Sequence, residues 1–275
     1  MKSFMLLKFQ QISGARSRAF EGEYFTAGVY TLWSRELTRF FRQPSRVAGA
    51  MGSPLIFWLL IGSGIGKSFN SSSGGYLAYF FPGTILMIVF FTAVFSTISI
   101  IEDRREGFLQ AVLVAPIPRS AMVLGKVSGG ATLAFIQAML FLIFAPLVGI
   151  HLTFSALLLT GVVIFVNAFF MTAMGFLMAW RFNSIQGFHA MMNLLLMPMW
   201  MMSGAVFPAE GASVWVRMLM KINPLSYGYQ ALRYSLLKQS SVSFPVSAGA
   251  MLVLAALFFA SAVRAVSQPS LKNAV

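Results

Sequence analysis

Six apolar stretches divide this chain, at Val47–Gly66, Leu77–Ile101, Val127–Ile150, Phe154–Trp180, Phe188–Phe207 and Val246–Val263, and none contains Asp, Glu, Lys or Arg. At about 1.5 Å rise per residue, each is long enough as a helix to cross about 30 Å of hydrocarbon. Backbone groups inside a bilayer must bond to one another, and the period-two alternation of a membrane barrel is absent, so the stretches read as helices. The pattern predicts an all-α integral membrane protein with six transmembrane helices.

The segments between the stretches carry their own periodicities. From Val29 to Arg46, Val29, Trp33, Leu37 and Phe41 recur every four residues with Tyr30 and Phe40 alongside, and Arg35, Arg39, Arg42 and Arg46 recur on the other side. An aromatic face opposite an arginine face predicts an N-terminal amphipathic helix lying in the membrane interface. Between the fifth and sixth stretches, Val214, Trp215, Met218 and Ile222 share one face, and Asn223-Pro224 reads as an N-cap with proline at the first helical position. Residues 208–244 therefore predict an outer segment of two short amphipathic helices, lying in or dipping into the interface. The expected organisation is a loosely ordered leader (1–28), the interface helix (29–46), a six-span domain (47–264) with an inner loop at 102–126, and a tail (265–275).

Composition sharpens this picture. The chain is 58% hydrophobic and 10% charged, against roughly a quarter charged in a soluble domain. The net charge of +13 could suggest nucleic acid, but the cations sit between the apolar runs rather than in an interleaved patch. They point instead to membrane topology and anionic lipid. With the N-terminus inside, fifteen of the 20 Lys and Arg fall on the inner side, which predicts both termini in the cytoplasm. No cysteine is present, which removes disulfides and thiolate metal sites. The first eight residues lack the apolar core of a cleaved signal peptide.

Catalytic chemistry is poorly supplied. Gly62-Ser63-Gly64-Ile65-Gly66-Lys67-Ser68 imitates a phosphate-binding loop, but Ile61 stands where that motif needs its first glycine. His151 and His189 have no second ligand at helical spacing and no acid expected nearby. The absence of Asp, Glu, Lys and Arg within the stretches disfavours an ion-coupled carrier. The fourth and fifth stretches are rich in methionine, whose flexible thioether suits an adaptable apolar surface. Asn167, Met171, Met174, Asn193 and Met197 are candidate residues of a substrate path, and Pro198 should bend the fifth helix.

The inner loop holds Glu102, Asp103 and Glu106, three of the chain's seven acids. Phe108, Leu109, Val112 and Leu113 then form an apolar stripe that Pro116 and Pro118 terminate. Glu102-x-x-x-Glu106-Gly107-x-Leu109-x-x-x-Leu113-x-x-Pro116, followed by Leu124-Gly125-Lys126, resembles the cytoplasmic signature of ABC-2-type transporter permeases. Asn223-Pro224-Leu225-Ser226-Tyr227, continued to Ala231-Leu232-Arg233, is similar to that family's Asn-Pro-Leu motif before the last span. One departure is Phe108-Leu109-Gln110, where the family commonly has Thr-Leu-Glu.

The resemblance, over roughly residues 29 to 264, implies the membrane subunit of an ABC exporter in a bacterial inner membrane. Two copies would pair with two copies of a separate ATPase, which would hold ATP and Mg, and this chain would bind no cofactor. Glu102, Arg104, Arg105, Glu106, Gly107, Phe108, Leu109, Leu113 and Pro116 would dock into the ATPase. The helix bearing Trp33, Arg35, Arg39, Phe41 and Arg42 would brace the contact, and Asn223, Pro224, Leu225 and Tyr227 would form the outer motif. An amphiphile such as a drug or lipid is the expected substrate; a polysaccharide or lipid-linked glycan is the alternative. A stand-alone carrier or channel, or a non-transporting scaffold, are the readings from other classes.

Overall fold

The computed structural model describes residues 2–65 and 75–268, and among these it is helical throughout with no strand. The elements are α1 (Lys2–Phe41), α2 (Pro44–Ile65), α3 (Gly75–Ser96), α4 (Ile98–Arg105), α5 (Phe108–Val114), α6 (Arg119–Phe141) and α7 (Phe154–Arg181). They continue with α8 (Ile185–Met191), α9 (Met197–Trp200), α10 (Val214–Ile222), α11 (Pro224–Leu237) and α12 (Phe244–Ser267). Four helices are long and apolar enough to cross a membrane: Gly75–Arg105, Arg119–Val148, Phe154–Arg181 and Phe244–Ser267. The chain is a multi-pass membrane protein. Within α2 the apolar part, Ala48–Gly64, is shorter, and the fifth stretch is broken into pieces. Gly66-Lys67-Ser68, the tail beyond Gln268, and the side chains of 2–21 and 44–47, including Arg46, lie outside the described residues.

The N-terminal region differs from expectation. α1 is one helix from Lys2 rather than a loose leader followed by a helix at Val29. No proline interrupts residues 1–43, so nothing in the chain forces a break there. It ends at Phe41 rather than Arg46, because Pro44 opens α2 and disfavours helical backbone at the residue before it. α1 also packs principally on α6 instead of lying free in an interface. The contact is close because Gly125 and Gly129, one turn apart, face it. A Cβ at Gly125 would stand 2.9 Å from the Val29 carbonyl oxygen, and one at Gly129 2.8 Å from Glu36 Cβ. Small residues at this spacing let helix backbones approach.

α3 is the axis of the bundle. Phe80, Phe81, Ile85, Leu86, Ile88 and Val89 have no exposed surface, and α2, α6, α7 and α11 surround the helix. It breaks at Thr97, where the Ser96 and Thr97 hydroxyls donate to the Ala93 and Val94 carbonyls at 2.7 and 2.6 Å. Such back-bonding bends helices, and α4 continues beyond the bend.

The fifth stretch runs as α8, a π-type turn (Met192–Leu196), α9 and a second π-type turn (Met201–Ala205). Pro198, expected to bend this helix, sits between the two π turns and supplies no N–H. Interrupted turns leave carbonyls that lipid cannot satisfy, and other elements supply the donors. Asn223 Nδ2 donates to the Met199 carbonyl at 2.6 Å, Tyr79 to Gly204 at 2.8 Å and Tyr76 to Val206 at 2.6 Å.

The two predicted short helices are present as α10 and α11, and they differ in placement. α10 leaves Val214, Trp215, Met218 and Ile222 exposed. α11 is inserted among α3, α7 and α12, with Leu225, Ala231 and Leu232 fully buried. Gly228 abuts the Asn167 side chain, midway along α7, so α11 enters the bundle rather than lying across its end.

Two substitutions test this packing through thermal unfolding in detergent. Gly129→Leu should destabilise by about 1–3 kcal/mol through overpacking against α1, while Gly49→Leu, which meets open space, should not. Asn223→Ala should cost about 1–3 kcal/mol by losing the α11 cap and orphaning the Met199 carbonyl.

Candidate functional site

One end of the bundle carries nearly all of the buried charge. Asp103, on α4, has no exposed surface, and Lys126 (4%) on α6 and Glu36 (5%) on α1 are almost as enclosed. Arg35 grips Asp103 with two bonds, Nη1 to Oδ2 at 3.0 Å and Nη2 to Oδ1 at 2.7 Å. Arg39 donates to Asp103 Oδ1 at 2.9 Å and pairs with Glu102 at 2.8 Å. Lys126 Nζ bonds Asp103 Oδ2 at 2.5 Å and Glu36 Oε1 at 2.7 Å, with the Ser99 hydroxyl at 3.4 Å. Arg35, Arg39 and Lys126 thus balance Glu36, Glu102 and Asp103, the arrangement a buried charge requires. Burial alone would push the Arg35 guanidinium down. The bond to Asp103 and its field, with Glu36 and Glu106 behind it, hold it above the usual arginine range.

The clasp reaches α5 through Arg35, whose guanidinium lies 3.8 Å from the centre of the Phe108 ring, a cation–π distance. Gly107, at φ +77°, makes the turn between α4 and α5 in a conformation that costs glycine little. Leu109 and Val112 are buried and Leu113 packs on the core. The exposed side of α5 is Gln110, Ala111 and Val114, the last 86% exposed, and Glu106 and Pro116 flank it.

This revises several expected roles. Phe108 and Leu109, expected to dock a partner, hold α5 to its own bundle, because their apolar stripe has a core to bury against. Gln110, which replaces the family's usual acid, is on the free face. Arg104 and Arg105 point along the bundle end. Arg104 donates to the Trp180 and Phe182 carbonyls at 2.6 and 3.2 Å and to Asn183 Oδ1 at 2.9 Å, and Arg105 to the Asn183 carbonyl at 3.1 Å. They cap α7, whose carbonyl end favours cations. On α1 the arginine face is divided, since Arg35 and Arg39 turn inward to Asp103 and Arg42 is exposed. Trp33 donates to Thr132 on α6 at 3.1 Å, and Phe41 is exposed.

The expected path residues are not brought together. Asn167 and Met171 have no exposed surface, and Asn167 Nδ2 donates to its own helix at Val163. Asn193 is exposed on the interrupted fifth stretch, Met197 is half-buried, and Met174 lines a cleft between α7 and α8–α9. The outer motif lies deeper than expected: Leu225 is fully buried, and Asn223 accepts from the Leu225 N–H at 3.0 Å as the cap of α11. Pro224 starts that helix, and Tyr227 donates to the Lys221 carbonyl at 3.0 Å. His189 stands edge-on to Phe95 and shares a cleft of about 390 Å³ with Glu102, so an acid does line its surroundings. No group of three metal-ligating side chains occurs among the described residues.

Glu36, Asp103 and Lys126 were not among the candidates. Their signal was the position of Asp103, two residues beyond the apolar run that ends at Ile101, where a carboxylate carried into the bundle needs cations from other helices.

The fold is a multi-pass helical membrane bundle with a short helix clasped to its charged end. The sequence pattern of the ABC-2 type transporter family matches residues 27–237, and the chain belongs to that family. It is similar to the transport permease ycf38 of Cyanophora paradoxa, at 24% identity over 83% of this chain and 80% of the relative. Nodulation protein J of Rhizobium leguminosarum bv. viciae is 26% identical over 70% of this chain and 75% of its own length. The inner membrane transport permease YadH of Escherichia coli K12 is 22% identical over 86% and 93%.

Asp103→Ala leaves three cations with two carboxylates, and it should cost about 3–5 kcal/mol in unfolding measurements. Adding Lys126→Met should cost less than the two single changes summed, because it removes a charge that the first change orphaned.

Proposed function

We propose that this chain is the membrane subunit of an ATP-driven exporter, and that α5 is the element that meets the ATPase. The observation that supports this best is the construction of α5 itself. One face is fixed to α4, to α1 and to the core by Leu109, Val112 and the Arg35–Phe108 contact, and the other presents Gln110, Ala111 and Val114 outward. A free apolar side chain on a rigidly held helix suits docking into a partner's cleft. Glu106, largely exposed and 3.8 Å from Arg39, is available to orient the approach.

In this reading α2 and the interrupted helix from Ile185 to Ala205 complete six spans, with the charged end and both termini in the cytoplasm of a bacterial inner membrane. The excess of Lys and Arg on that side supports this orientation. Two copies of the chain enclose the path, and two copies of a separate ATPase hold ATP and Mg. The substrate is an amphiphile such as a drug or lipid, consistent with the methionine-rich helices and with spans that hold no Asp, Glu, Lys or Arg.

Val114→Asp places a charge on the exposed face without touching the clasp. It should abolish co-purification of the ATPase and substrate-stimulated ATP hydrolysis while leaving the permease's unfolding midpoint unchanged. Undiminished ATPase binding would remove α5 from the contact. Transport by the purified chain in liposomes without any ATPase would instead establish a stand-alone carrier.

A further inference from the structure

A second cleft, of about 450 Å³, opens between α7, α8–α9, the tip of α11 and α12, and its walls are almost wholly apolar. Met174 and Met178 line it from α7, Met191 and Met199 from the interrupted helix, and Phe258 from α12; Arg181 stands at one end as its only charged lining residue. The volume falls within the range of small-molecule sites. From Met174 to Arg181 the helical rise is about 10 Å, so the slot runs along α7 and finishes at a cation.

That cation has no partner among the described residues. Arg181 is exposed and makes no hydrogen bond or ion pair among the described residues. It stands at the carbonyl end of α7, where a cation could serve as a cap. That role is filled, because Arg104 takes the Trp180 and Phe182 carbonyls and the Phe182 N–H bonds the Ala179 carbonyl. α12, which forms another wall, ends near the start of α6: Arg119 donates to the Val266 carbonyl at 3.4 Å, and Arg264, two residues earlier, is exposed.

An apolar slot lined by flexible thioethers and closed at one end by an unpaired guanidinium matches one ligand chemistry. We infer that it holds a membrane phospholipid with an anionic headgroup, one acyl chain lying against Met174, Met178, Met191 and Met199 and the phosphate on Arg181. The methionines accept chains of varied length and unsaturation, the planar guanidinium pairs with two phosphate oxygens, and the same guanidinium repels a headgroup that carries its own cation, as choline does. Basic pockets between membrane helices take anionic headgroups for the same reason. The site stands independently of the assignment of α5 to an ATPase.

The test uses the purified full chain in detergent, with phosphatidylglycerol, phosphatidylcholine and glycerol phosphate as probes. Native mass spectrometry and the unfolding midpoint are read together. Phosphatidylglycerol should be retained several-fold more than phosphatidylcholine and should raise the midpoint, whereas glycerol phosphate should do neither. Arg181→Gln should bring the two lipids level, and Met178→Trp, which fills the slot, should release both. Should Arg181→Gln fail to fold, phosphatidylglycerol with a photoreactive acyl chain should cross-link the unmodified protein at Met178, Met191 or Met199. The inference is overturned if Arg181→Gln keeps the preference, if phosphatidylcholine is held as well by the unmodified protein, if glycerol phosphate stabilises equally, or if cross-links fall elsewhere.

Discussion

Asp103 lies where α1, α4 and α6 meet and exposes none of its surface. A carboxylate removed from water in this way persists only if cations come to it with good geometry. Arg35, Arg39 and Lys126 come from two other helices to do so, and their approach needs the flat face that Gly125 and Gly129 give α6. Once Arg35 is drawn in, its outer side becomes the platform for Phe108. The position of α5, the division of arginines on α1 and the close packing of α1 on α6 all follow from that single buried charge.

At greater depth the constraint changes from charge to the backbone. The stretch from Met192 to Ala205 departs from regular helix, and each carbonyl it frees must find a donor within the protein. Asn223 meets this need at Met199 while its own oxygen caps α11, so one amide stabilises two elements. Tyr76 and Tyr79 from α3 do the same for Val206 and Gly204.

The apolar runs made most of the helices legible, and α11 begins where Asn223-Pro224 puts it. What the sequence concealed is where amphipathic helices turn their faces. On α1, periodicity assigned Arg35 and Arg39 to the polar outside, because the pattern along one helix carries no information about a carboxylate on another. The same blindness hid the insertion of α11, whose polar Ser226, Gln230 and Ser235 are buried among neighbouring helices. It also made Leu109 a docking residue when its own bundle covers it. Gly107 was legible as part of a motif, whereas its reason, a left-handed turn between α4 and α5, is visible only in three dimensions.

The burial of α11 bears on how the protein is made. This helix carries three tyrosines, Gln230 and Arg233, and it is too polar to partition into lipid by itself. Its walls include α12, which leaves the ribosome after it. Until α12 arrives, one flank of α11 has no protein cover, so α11 must wait outside its final place. Its burial is therefore a late, post-insertion step in which a later span closes over a segment synthesised before it.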